Sequence, residues 1–475
     1  MKTDIKIQFL LPALIAALNL LPARPAAAQT FTLLHNFTTE SDGAHPEGLT
    51  LSGNTLYGTA GAGGLSGEGT LFAIIPGELT FTNLYSFSAT AISGFAYVNS
   101  DGVGPNGGLI LSGGTLYGTA ESGGTNGLGT VFEVNTNGLN FITLHHFSNP
   151  DGVHPEAGLL LSGSTLYGTT DGGGTGGSGS VFAINTNGMG FTNLYSFSAE
   201  ATNTLGIYTN LDGTHPLAVL ILSGSTLYGT ASAGGPNGFG TIFAVSINGT
   251  GFTNLHSFTA TSGPHSTNSD GASPYAGLLL AGSTLYGTAS AGGTNGTGAL
   301  FSISTNGMNF RNLYSFSSSV DYGPNSDGAY PMSGLILSSN ILYGTARDAG
   351  TNGNGTVFAI NTNGTGFTTL HNLKATDDGS YPVAGLILSS NTLYGTTSFG
   401  GSGGSGTAFS ISLGAGAPLL AINLSGTNVI LTWSEPGFTL QSATNLAAPV
   451  WTTVSGQNAI TNPITGTKMF YRLSQ

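Results

Sequence analysis

The chain has no cysteine in 475 residues, only two tryptophans, and only 6% charged residues. Without cysteine there is no disulfide framework, so stability has to come from burial and backbone hydrogen bonding, which a chain of this size can supply. Basic residues are scarcest: beyond residue 28 five Lys and Arg face twenty Asp and Glu, a formal charge of −15. Phosphate neutralisation needs Lys and Arg, so nucleic acid is excluded as a partner, and anionic lipid surfaces are disfavoured for the same reason. A 3.6-residue apolar period is missing after the N-terminus, and 78 glycines are incompatible with a helical protein. Beyond the N-terminus no apolar run is long enough to cross a bilayer as a helix.

What is there is a repeat. Leu-Tyr-Gly occurs seven times, at Leu56, Leu116, Leu166, Leu227, Leu285, Leu342 and Leu393, with intervals of 50 to 61 residues. A period of this length signals stacked units, a solenoid or a propeller. Each unit opens on Asp-Gly-x-x-Pro, at Asp42, Asp101, Asp151, Asp212, Asp270, Asp327 and Asp378. An apolar run such as Gly108-Leu-Ile-Leu111 follows, then a Ser-Gly turn, the Leu-Tyr-Gly-Thr strand and a glycine-rich loop such as Gly123 to Gly127. A third strand, such as Thr130 to Val134, leads to a turn that in five units is Asn-Gly (Asn137-Gly138, Asn187-Gly188, Asn248-Gly249, Asn306-Gly307, Asn363-Gly364). Asn-Gly between apolar runs is a hairpin signal, because both residues tolerate positive φ. A fourth strand, such as Phe191 to Phe197, closes the unit. The prediction is four short antiparallel strands per unit, with both faces covered where units stack.

The ends decide between the two architectures. A lone fourth-strand motif, Phe31-Thr-Leu-Leu-His-Asn-Phe37, precedes the first unit, and the seventh unit stops after its third strand, Thr407 to Ile411. A solenoid has no use for that offset. A closed ring does, because the first strand can complete the last blade and remove the exposed edges. The fold expected is therefore all-β: a seven-bladed β-propeller over residues 29–414, with the N-terminal strand closing the last blade. Residues 415–475 break the pattern, hold both tryptophans (Trp433 and Trp451) and alternate apolar with polar, so a small C-terminal β-sandwich-like module is expected there. Residues 1–28 read as a secretory signal, with Lys2 and Lys6, an apolar stretch from Ile7 to Leu21, and Ala26-Ala27-Ala28 as the cleavage site. The expected location is extracellular or at the cell surface.

The ordered set Asp-Gly-x-x-Pro, Leu-Tyr-Gly-Thr, Gly-Gly-x-x-Gly-x-Gly-Thr and Phe-Thr-x-Leu-x-x-Phe resembles the Gloeo/Verruco (GloVer) tandem repeat over nearly all of residues 30–413. The resemblance implies a secreted bacterial repeat protein of a group with varied C-terminal anchors and no established biochemical activity. Some such proteins end in a hydrophobic sorting tail with basic residues, which this sequence lacks. The Trp433, Phe438-Thr-Leu-Gln441, Trp451 and Phe470-Tyr-Arg-Leu473 pattern looks like a C-terminal module of secreted proteins from Verrucomicrobia-like bacteria.

Candidate site residues lie on the face carrying the glycine-rich loops and the long links. The links before Asp101, Asp212, Asp270 and Asp327 carry roughly ten extra residues, and insertions of that kind decorate the binding face of repeat proteins. Their aromatics Phe95, Tyr97, Tyr208 and Tyr322 are candidates, with three charged residues at the end of the second strand, Glu121, Asp171 and Arg347. Other blades carry Gly61, Ser232, Ser290 and Ser398 at that position. Aromatic and polar groups together suit a glycan or a protein ligand. The seven Asp are expected around the channel mouth, each capping its own turn rather than holding a ligand. His45, His154 and His215 share the position before the Pro, but on blades one, three and four, so convergence on a metal is not expected. Glu133 stands where Ala or Ser is usual, and is expected to be partly buried.

Gly400-Gly401-Ser402-Gly403-Gly404 matches a nucleophile elbow in letters only, since it sits in a hairpin loop with no helix after it. The glycine loops also lack the Lys of a phosphate loop. No catalytic residue, cofactor or metal is assigned, and oligomeric state is not readable. The function expected is a secreted, non-catalytic scaffold presenting a binding face to an extracellular glycan or protein. The alternatives are a glycan-active hydrolase or lyase using Glu121 and Asp171, or a purely structural surface protein.

Overall fold

The Leu-Tyr-Gly strand is built around its glycine. A Cβ at Gly118 would lie 2.6 Å from Cζ of Phe132 on the neighbouring strand, and the equivalent Gly344 meets Phe358 at 2.7 Å. Only glycine lets the third-strand Phe cross the second strand, so Gly and Phe recur together. In the computed structural model, which describes residues 29–474 apart from 264–265, 320–322, 414–419 and the segments between the C-terminal strands, these strands assemble into seven four-stranded antiparallel sheets. The proposed signal segment 1–28 and Tyr322 lie outside the described residues. Among those described there is no helix.

Blade 2 shows the pattern: Ile110–Ser112, Thr115–Ala120, Thr130–Asn135 and Ile142–His146 pair in sequence order. Blade 7 differs in one respect. Its strands Ile387–Ser389, Thr392–Thr397 and Thr407–Ser412 are completed by Thr30–Asn36, which lies beside Thr407–Ser412. The chain is thus a seven-bladed β-propeller closed by its N-terminal strand. The first strand of each blade runs at the axis, and glycines let these strands crowd there: a Cβ at Gly48 would meet Gly108 Cα at 2.9 Å, and one at Gly158 would meet the Gly108 carbonyl at 2.8 Å.

Three sets of contacts, each repeated seven times, hold the blades together. The Thr of each Leu-Tyr-Gly-Thr donates from Oγ1 to a backbone carbonyl at the start of the next blade, at 2.7 to 3.3 Å; Thr396 to Glu47 closes the circle. A Tyr or His of each fourth strand stacks on a Phe of the next blade at 3.9 to 4.3 Å, and here Phe31 on His371 is the closing pair. That same Tyr or His reaches the Asp of the following Asp-Gly-x-x-Pro at 2.6 to 3.3 Å. Beneath these contacts lie apolar clusters such as Leu34, Phe37, Leu49, Leu56, Phe72 and Ala408, which joins blade 7 to blade 1.

The links hold structure that the sequence did not disclose. The ones before Asp101 and Asp212 fold into two-stranded ribbons, Ala91–Ser93 with Ala96–Val98 and Ala201–Thr202 with Tyr208–Thr209. The propeller spans the compact unit Phe31–Ile411. Beyond it, the described residues form two three-stranded antiparallel sheets. One joins Leu420–Ser425, Asn428–Trp433 and Ala459–Pro463; the other joins Thr452–Thr453, Thr439–Ala443 and Phe470–Ser474.

Candidate functional site

Every Asp-Gly-x-x-Pro segment runs from the outer strand of one blade to the inner strand of the next, and the Asp anchors its outer end. Asp101 accepts from Tyr85 Oη at 2.8 Å, from the Ser88 backbone N–H at 2.8 Å and from Ser88 Oγ. Asp212 and Asp327 do the same with Tyr195 and Tyr314. Burial and the Asp partner push the phenols of Tyr85, Tyr195 and Tyr314 well up, so they remain donors. At His35 and His145 burial outweighs the neighbouring Asp and holds the imidazole below its ordinary value. The expectation that these carboxylates ring the channel mouth is therefore corrected: they face the outer strand of the preceding blade, because its Tyr or His and the link's N–H groups supply the donors.

Residues that do reach the mouth come later in the segment. The residue before the Pro is left-handed in all seven blades, with φ of 53 to 65° at His45, Gly104, His154, His215, Ser273, Tyr330 and Tyr381. Six of these are not glycine, which sets a cost on this backbone that the surroundings must offset. The surroundings are hydrogen bonds: His154 N–H donates to Leu128 O of the preceding blade at 3.1 Å, and its carbonyl accepts from Asp171 N–H at 2.9 Å. The second bond recurs from Glu121 to Gly104 and from Arg347 to Tyr330. Two columns of variable residues, about 17 positions apart in sequence, thereby come together at the same rim.

The residue after the Pro adds a third column: Glu47, Asn106, Glu156, Leu217, Tyr275, Met332 and Val383, all half-buried. It was missed in the sequence, although its change from polar in blades 1 to 3 to apolar or aromatic in blades 4 to 7 was there to be read. On the polar side Asn106 Nδ2 donates to Glu121 Oε2 at 2.6 Å, and His215 Nδ1 meets Asp171 Oδ1 at 2.7 Å. The bond to Asp171 raises the His215 pKa, favouring the ion pair. Burial pushes Glu156 up to about 7, with Glu121 and Asp171 adding like charge, and pushes Glu47 up to about 8, with Glu156 adding to it.

The opposite side is aromatic. Arg347 lies over the Tyr381 ring at 5.1 Å, Tyr381 meets Phe399 edge-on at 5.8 Å, and His45 packs on Phe399 at 4.4 Å. A cavity of about 340 Å³ between the two sides is lined by His45, Glu47, Asn106, Arg347, Tyr381 and Phe399, among others. The three histidines go to different partners: His45 to the Ser398 carbonyl, His154 to the Glu121 carbonyl and His215 to Asp171. Among the described residues no three His, Asp or Glu side chains gather as metal ligands.

The structure divides the remaining candidates. Phe95 and Tyr97 sit on the first ribbon and line a separate cavity of about 550 Å³ with Glu68, Thr90, Ser122 and Leu128. Tyr208 is exposed on the second ribbon. Glu133 is half-buried against Tyr117 in blade 2, where burial raises its pKa while the bond to Tyr117 opposes the rise.

The profile of the Gloeobacter/Verrucomicrobia repeat matches residues 90–264, 198–327 and 320–429. The chain belongs to that family. Each 50- to 61-residue unit of the sequence is thus one blade of the ring, offset so that blade 7 borrows its outer strand. No curated protein matches the chain in sequence. Similar solved structures include an oligogalacturonate lyase from Vibrio parahaemolyticus, at 11% identity over 82% of this chain and 98% of that one, with a TM-score of 0.49. A GH74 xyloglucanase from Xanthomonas campestris is 11% identical over 85% of this chain and 59% of that one, with a TM-score of 0.48. TolB from Acinetobacter baumannii is 15% identical over 58% and 55%, with a TM-score of 0.35. These are distant likenesses of chain path.

Proposed function

We propose that this protein is a secreted, non-catalytic binding scaffold that takes an extracellular glycan at the mouth of its propeller. The observation that carries the reading is the two-sided rim: Glu47 and Asn106, on blades 1 and 2, share an open cavity with the aromatic wall of Tyr381 and Phe399. Polar groups that fix hydroxyls and a ring face that covers a pyranose are what sugar recognition requires. The signal-like segment at residues 1–28 supports a location outside the cell. A glycan array probed with the purified chain tests the reading. Selective, saturable binding with ligand recovered intact supports it, whereas binding only to protein baits replaces glycan by protein as the ligand.

One observation favours a second reading, a glycan-active enzyme. Glu156, pushed up to about 7 beside Glu121 and Asp171, has the protonation of a general acid with two further carboxylates next to it. The acid in that reading is Glu156 rather than Glu121 or Asp171, which are engaged by Asn106 and His215. Release of shortened sugars, abolished in Glu156→Gln, is the result that supports it.

A further inference from the structure

The mouth groups its charges by sign. Glu47, Glu121, Glu156 and Asp171 all stand on blades 1 to 3, with the His215–Asp171 pair at one end of the arc. Arg347 stands across the cavity, held by Asp348 at 3.5 Å and by the Tyr381 face. Asn106 satisfies Glu121 and His215 satisfies Asp171, but among the described residues no hydrogen bond reaches the carboxyls of Glu47 or Glu156. Glu47 is faced by Glu156 and shares its cavity with His45 and Arg347; Glu156 is faced by Glu121, Asp171 and His215. Like charges held this close favour an arriving positive charge. They do not close around a small ion, because no three acidic or His side chains among the described residues converge. The neutralising charge must therefore arrive spread along a larger molecule.

A second observation points to a ligand in the same cavity. Ser398 lines it beside Glu47, is 5% exposed, and its Oγ has no hydrogen-bond partner. The equivalent Ser290 in blade 5 donates to the Ser273 carbonyl at 2.9 Å, so the repeat itself has a way to satisfy this hydroxyl. In blade 7 it is left without a partner, and a buried hydroxyl in that state is destabilising until something supplies one. Next to it Phe399, 45% exposed, presents a ring to the cavity.

We infer that this cavity and the acidic arc beside it bind a polysaccharide of sugars that carry free amino groups, the ammonium groups meeting Glu47 and Glu156 and one pyranose lying on Phe399. The inference rests on the glycan-binding reading and specifies its ligand. Ser398 and Asn106 provide hydroxyl-scale contacts, and Tyr381, Phe399 and His45 provide a surface that tolerates both a sugar face and a cation. Because Glu47 and Glu156 are held protonated near neutrality, an ammonium that binds there displaces protons.

The test is calorimetric titration of the whole chain at pH 6.5 with glucosamine hexamer, its fully N-acetylated counterpart, and a lysine-rich peptide of equal charge. The expected result is glucosamine hexamer binding at least tenfold tighter than the other two, with proton release seen as a dependence of heat on buffer. Glu47→Gln with Glu156→Gln should cut that affinity about tenfold and abolish the proton release, with melting no earlier than in the parent. Ser398→Ala, which removes only the open hydroxyl, should weaken binding a few-fold. Equal affinity for the N-acetylated hexamer overturns the inference and leaves the glycan-binding reading standing. No binding of either sugar also overturns the inference and leaves the wider glycan-binding reading to the glycan array, and tighter binding of the peptide overturns the choice of a sugar.

Discussion

The seams between blades and the rim of the channel are built from the same repeat by opposite rules. At the seams every unit uses one solution: an Asp, a Tyr or His, a Phe and a Thr, with stacking distances that vary by less than half an ångström around the ring. At the rim, the residues before and after the Pro and at the end of the second strand differ from blade to blade. His154, Glu156 and Asp171 stand on blade 3 where Tyr381, Val383 and Ser398 stand on blade 7. The difference separates what closes the ring from what meets a ligand. An acidic residue at the seam is paired by construction, whereas at the rim Glu121 and Asp171 have partners peculiar to their blades and Glu47 and Glu156 have like charge beside them.

Mutations at the two places should therefore behave differently. The largest effect is expected at a seam. Phe37→Ala empties a fully buried position between blades 7 and 1 and should cost about 3–5 kcal/mol in denaturant unfolding, with no selective effect on ligand. Asp101→Ala leaves Tyr85 Oη and the Ser88 N–H without their acceptor and should cost about 2–3 kcal/mol by the same measurement, with Asp101→Asn costing less.

At the rim the sign reverses and depends on pH. Glu47 has its folded pKa raised from an ordinary 4.5 to about 8, so the protonated form is the one the fold favours. That contribution is complete below pH 4.5 and is lost as pH rises towards 8. Glu47→Gln should then stabilise the protein by about 1–2 kcal/mol at pH 8.5 and do nothing at pH 4, read from thermal melts at the two values. A gain at both values, or at neither, would show that Glu47 is not held protonated. The smallest effect is expected from Ser273→Gly, which relaxes a left-handed residue at φ 53° and should add about 0.5 kcal/mol to stability.

The ring was legible because its evidence is phase, and phase survives in letters: seven copies of each strand with the cut between the third and fourth are enough to require closure. The rim was legible only in part. Glu121, Asp171 and Arg347 stood out as charges in a chain with few of them, and they do lie there. Glu47 and Glu156 did not stand out, because the residue after a Pro looks like the start of a strand. Their altered acidity comes from burial and from neighbouring carboxylates, Glu156 acting on Glu47 from more than 100 residues away in sequence and Glu121 and Asp171 acting on Glu156. The seven Asp were misplaced for a related reason. Recurrence says that a residue is structural, but not which way its side chain points, and the Tyr and His partners that turn it outward lie 6 to 17 residues earlier. Link length flagged the insertions before Asp101 and Asp212, and the pairing that makes them ribbons depends on a turn geometry that length does not encode.

The strand Thr30–Asn36 is among the first parts of the described chain to leave the ribosome, and its partner Thr407–Ser412 is the last part of the ring to do so. Translation must therefore finish almost the entire array before the circle can zip, and completion becomes one late event with a long sequence separation to bridge. Until then the nascent molecule is a row of sheets with two unpaired ends. It stays threadable during synthesis and locks only when its beginning and end meet.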